Sequence, residues 1–128
     1  MHVFEHCTWT SGTLPDDRTG FLEVLSSRAF LQDCGFRDLE ARGLGGLQSA
    51  VEITDTFFEA TSGAVEMWDS ALTMRDSAVR STVGAHAAVL LEGNAGAPML
   101  LEGLTVDGCL SDALRVRGGS VDVVDCRQ

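Results

Sequence analysis

Three aspartates recur in one short phrase. Asp33 sits in AFLQDCGF, Asp55 in AVEITDTFF and Asp76 in ALTMRDSAV, 22 and 21 residues apart. If the chain folds back on itself at that interval, the three carboxylates stack about 5 Å apart. Like charges at that distance repel unless a cation, a hydrogen bond or protonation relieves them. Asp33, Asp55 and Asp76 are therefore the candidate metal ligands, and calcium is the cation suited to an oxygen-rich set. The competing reading is local: Asp at a bend accepts backbone N–H groups in an Asx-type turn and needs no metal.

Carboxylates and guanidinium groups also recur. Glu23, Glu66 and Arg115 occupy one alternating position of the chain, and Glu5, Gln32, Arg75 and Glu102 another. Together with Trp9, whose ring could stack on a sugar, Glu23, Glu66, Arg115, Arg75 and Glu102 are the candidate ligand-binding residues. A solvated sheet needs outward charges in any case, so this pattern alone does not demand a ligand. Cys7, Cys34 and Cys126 share the position after the bend residue, where Thr56 and Ser77 are their equivalents. There is no C-x-x-C or H-x-x-x-H pair, and parallel in-register side chains do not point at one another as a disulfide requires. Free thiols are expected. His2, His6 and His86 are scattered, with His6 in the place of the bend Asp.

What positions these residues is a repeat. With Cys7, Cys34, Thr56, Ser77, Leu104 and Cys126 as anchors, six segments fall into register at spacings of 27, 22, 21, 27 and 22 residues. Five before each anchor stand His2, Ala29, Val51, Leu72, Met99 and Val121. Three before it stand Phe4, Leu31, Ile53, Met74, Leu101 and Val123. Two after it come Trp9, Phe36, Phe58, Val79 and Val106, and the position two before is mostly polar. This alternation is that of a half-buried strand. A second alternating pair precedes most anchors: Leu22 with Val24, Val65 with Met67, Val89 with Leu91, and Leu114 with Val116, decaying to Leu44 and Gly46 in one unit. Each unit reads as strand, tight turn, strand, bend and short strand, closed by linkers such as TSG, RSTVG and DGCLSD.

A unit of about 22 residues cannot bury its inward side chains alone, so units must stack. The pattern resembles a right-handed parallel β-helix of the pectin-lyase-like superfamily over nearly the whole chain, with Asp at the bend where many such repeats carry Asn. The expected fold is thus all-β, a solenoid of about five to six rungs. A leucine-rich-repeat-like solenoid is the alternative. It wants Leu eight before the anchor, where this chain has Ser26, Gln48, Asp69, Gly96 and Gly118, which reads as a turn. The chain reads as one domain over residues 1–128, alone or as a segment of a longer solenoid.

The formal charge of −10, with nine Arg and no Lys, disfavours a nucleic-acid partner. No apolar run approaches the roughly 18 residues that cross a bilayer, so no membrane partner is expected, and nothing in the chain fixes a compartment. The resemblance implies carbohydrate chemistry on an exposed sheet, with carboxylates as acid and base or calcium ligands and Arg facing a sugar acid. No catalytic constellation of that superfamily maps onto these positions. The expected function is accordingly a non-catalytic repeat module presenting an extended sheet surface to a protein partner or polysaccharide. The alternative is a polysaccharide lyase, hydrolase or epimerase, or a fragment of one. An uncovered outer rung templates pairing with another chain, so end-to-end self-association is also expected. The long stretches 10–20 and 80–88 are expected on the binding side.

Overall fold

The computed structural model describes residues 2–10, 22–80, 87–93, 99–108, 113–117 and 121–127, and for 39–42 the backbone alone. Among the described residues every regular element is a strand and every ladder is parallel. One sheet holds six strands in the spatial order β1 (His2–Glu5), β4 (Arg28–Gln32), β6 (Ala50–Thr54), β8 (Ala71–Arg75), β11 (Met99–Glu102) and β14 (Asp122–Val124). The remaining strands form a second, branched sheet: β2 (Thr8–Thr10), β3 (Leu22–Leu25), β5 (Gly35–Leu47), β7 (Phe57–Trp68), β9 (Ala78–Arg80), β10 (Val89–Glu92), β12 (Thr105–Asp107) and β13 (Leu114–Arg117). The chain is a β-solenoid with coils of about 22 residues. Each coil closes through a second parallel sheet on the side where a leucine-rich repeat turns into helix, which removes that alternative.

The pairing register matches the alternation residue by residue. Ala29 lies opposite His2 and Val51, and Leu72 opposite Val51 and Met99. Leu44 lies between Leu22 and Val65, and Val89 between Val65 and Leu114. Leu31, Ile53, Met74 and Leu101 form a continuous buried column, as do Leu44, Val65 and Val89. In the column two after the anchor Trp9 stacks on Phe36 at 4.6 Å between ring centroids, and Phe36 on Phe58 at 4.7 Å.

The coil turns at three corners, each built on a single residue with positive φ. The bend column is His6, Asp33, Asp55, Asp76, Gly103 and Asp125; the turn column is Ser26, Gln48, Asp69 and Gly93; a third column is Asp38, Ala60 and Gly108. All have φ between 49° and 68°. Gly and the short polar residues Asp and Asn reach this left-handed region most readily, which explains why so many corners are Asp. The third corner corrects the expected linkers. The TSG of residues 61–63 lies within β7, which runs through the corner at Ala60, and β5 passes Asp38 in the same way, while most of the TSG of residues 10–12 lies outside the described residues. Most of RSTVG and DGCLSD lies outside the described residues. The turn column is corrected too: its fourth member is Gly93, because Glu92 pairs with Trp68, while Gly96 and Gly118 lie outside the described residues.

After two of these corners comes a ladder of small polar side chains. The amide of Cys34 donates to Thr56 Oγ1 at 3.4 Å and that of Thr56 to Ser77 Oγ at 3.2 Å. The amides of Ser27 and Ser49 donate to the hydroxyls of Ser49 and Ser70 at 3.2 and 3.0 Å. Each hydroxyl in turn donates to the carbonyl two residues before it, as in Thr56 to Thr54 and Ser77 to Arg75. A left-handed residue tips the next amide out of the strand ladder, and a buried amide needs a partner. The side chain one coil away provides it.

Candidate functional site

The pairing register sets Glu23, Glu66 and Arg115 in one column, separated by Gly45 and Leu90. Glu66 is an outward residue of β7, yet it is buried, with 4% of its surface exposed. Glu23, Glu66 and Arg115 each already engage in an interaction within the chain. The column is thus covered at its centre, between a half-buried Glu23 and an exposed Arg115: alternation fixes which way a side chain points, and does not fix what lies over it. Trp9 belongs to the aromatic stack, half-buried between Phe36 and the edge of Phe4, whose ring centroid is 5.6 Å away.

Glu5, Gln32, Arg75 and Glu102 do line one column on the outer face of the six-stranded sheet, with Glu5, Gln32 and Arg75 exposed and Glu102 half-buried. Asp33, Asp55 and Asp76 stand exposed along one corner. Among the described residues no group of three His, Cys, Asp or Glu side chains is arranged to hold a metal. The corner conformation gives Asp a reason to be there without a cation. Asp33 is engaged by His6, whose Nδ1 lies 2.6 Å from Asp33 Oδ2. Asp69 and Asp76 turn their carboxylates over the next coil, where Gly93 and Gly103 lack the side chain that would collide with them.

Cys7, Cys34 and Cys126 are free thiols. The single S–H of Cys34 faces the carbonyls of Gln32 and Phe4, both 3.4 Å from Sγ, and Cys126 Sγ lies 3.4 Å from that of Leu101. Burial pushes the Cys34 thiol above its ordinary pKa, which keeps it protonated in its ladder.

Two surface features went unread in the sequence. On the outer face of the six-stranded sheet a groove of about 230 Å³ crosses β4, β6 and β8. Arg28, Phe30, Glu52 and Thr73 form its sides, and the small side chains of Ala50 and Ala71 leave it open. Phe30, Glu52 and Thr73 are the second outward column of the sheet, four before the anchor, and the same alternation that gives Gln32 and Arg75 gives them. Around the turn corner lies an exposed apolar stripe of Leu25, Leu47 and Trp68, in register on successive coils. The stretches 11–21 and 81–86 lie outside the described residues.

No protein-family model matches the chain, and no curated protein matches it in sequence.

Proposed function

We propose that the chain is a binding module that holds a neutral polysaccharide along the outer face of its six-stranded sheet. The observation that carries this reading is the groove crossing three strands, in which one aromatic side chain, Phe30, stands with Arg28, Glu52 and Thr73. A sugar ring offers an apolar face to an aromatic residue and a rim of hydroxyls to carboxylate, guanidinium and hydroxyl groups. The β-solenoid provides a rigid platform whose strands repeat about every 4.8 Å, suited to a ligand that is itself extended. The net charge of −10 favours a neutral glycan over a polyuronate.

Affinity electrophoresis in gels cast with a neutral glucan, a mannan or polygalacturonate tests it. Retardation by a neutral polymer is expected, lost at least tenfold in Phe30→Ala and Glu52→Ala. Equal migration in all gels, or retardation unchanged by both substitutions, would sink the proposal.

A further inference from the structure

The strongest unexplained feature is the stripe on the neighbouring face. Leu25, Leu47 and Trp68 are 53%, 43% and 39% exposed, and their pairing register sets them side by side on three successive coils. None of them contributes to the groove on the six-stranded sheet. The next coil ends the stripe with Glu92, which is opposite Trp68 and ion-paired to Arg117 at 3.1 Å. Large apolar side chains exposed singly are ordinary; three in contact register, one of them Trp, make a patch.

The spacing selects the shape of its partner. Adjacent strands are about 4.8 Å apart, so the stripe spans about 9.6 Å along the solenoid axis. A helix lying along that axis presents residues i, i+3 or i+4, and i+7 over about 10.5 Å, at nearly the same interval. A strand laid the same way presents alternate side chains about 6.6 Å apart and drifts out of step within one repeat. The charge selects its chemistry: Asp69 is exposed at the corner beside Trp68, and the chain carries −10. We infer that the Leu25–Leu47–Trp68 stripe docks an amphipathic helix of a protein partner, three apolar residues at i, i+3 or i+4 and i+7 against the stripe and basic residues flanking them.

The test uses the full chain with Trp9→Phe, which keeps an aromatic ring in the internal stack and leaves Trp68 as the only indole. The probe is a synthetic peptide of about five helical turns with Leu at those positions and Arg beside them. Its controls are a scrambled peptide of equal composition and a version with Glu for Arg. A saturable blue shift of Trp68 emission is expected with the first peptide alone. Affinity should fall at least tenfold in Leu47→Ser, and Glu52→Ala on the groove should leave it unchanged, which separates this surface from the glycan site. The inference is overturned by the absence of a saturable shift, by equal binding of the scrambled peptide, or by Leu47→Ser binding within twofold of the parent. Circular dichroism of each variant confirms that the strands persist.

Discussion

The hydroxyl of Ser49 accepts the amide of Ser27 on the preceding coil at 3.2 Å, and its one proton faces the carbonyls of Leu47 and Val24 at 2.8 and 2.9 Å. One buried side chain thus partners the amide that drops out of the ladder, between the backbone bonds from Ser26 N to Leu47 O and from Ala50 N to Ser27 O.

Removing that hydroxyl leaves the half-buried amide of Ser27 without its partner, so Ser49→Ala should cost about 1 kcal/mol, read as a lower urea midpoint at unchanged slope. Thr61 supplies the contrast. It follows the corner residue Ala60 as Ser49 follows Gln48, yet its buried hydroxyl has no partner among the described residues. Thr61→Val should be neutral or stabilising. A loss at Thr61 equal to that at Ser49 would contradict the ladder account.

Ala60 has φ of 54°, where a Cβ is strained. Ala60→Gly should therefore raise stability by about 1 kcal/mol even though Gly loses more entropy on folding. At the bend column Asp55→Asn should keep the corner and Asp55→Val should break it. If the column also binds calcium, millimolar calcium will raise the melting temperature and Asp55→Asn will remove that rise. An unchanged melting curve leaves the backbone requirement as the whole reason for Asp.

Ile53 is fully buried in the column with Leu31 and Met74, whereas Thr54 beside it faces outward. Ile53→Asp should abolish the native circular dichroism spectrum, and Ile53→Ala should cost about 2–5 kcal/mol. Thr54→Asp should change the urea midpoint little. Comparable losses at the two positions would mean that the inward and outward assignment is wrong.

Cys34 is held protonated by burial, so its alkylation by iodoacetamide in the native protein should lag behind Cys7 and Cys126. The sign for stability follows. With its folded pKa raised, Cys34 contributes fully at neutral pH, and that contribution is lost as pH climbs past the thiol's unfolded value. Cys34→Ser, which places a hydroxyl where Ser77 has one, should flatten the alkaline decline. Peptide mapping by mass spectrometry and urea midpoints from pH 7 to 10 read the two effects.

Much of this fold is visible in the sequence because two periods coincide there: side chains alternate every two residues and the anchors recur about every 22. Val51, Leu72 and Met99 could be aligned by eye for that reason, and their register is the observed one. Gly46 shows where the pattern hides information. It looks like decay of an apolar column, but Met67 on the next coil fills its place, and a Cβ on Gly46 would meet the Met67 sulfur at 2.7 Å. The Ser27, Ser49 and Ser70 ladder was equally legible, since each follows a turn residue as Thr56 follows Asp55. Glu66 and Trp68 were not. Whether an outward side chain is covered depends on segments far away in the chain, and no local period records it.

The larger differences in spacing between anchors fall outside the strands, and the single extra residue of the Cys34–Thr56 interval is a bulge in β5 between Leu39 and Arg42. Two residues separate Asp69 from Leu72, while five separate its counterpart Gly93 from Met99, and the paired strands on both sides keep their register. Length can therefore change at a corner without altering which side chains face inward. Excising residues 56–76 would join Asp55 to Ser77, one corner phrase to its equivalent, and shorten the molecule by about one strand spacing. The solenoid behaves as a ruler graduated in coils: duplication or loss of a unit resets its length, and a binding face along it gains or loses reach in the same increments.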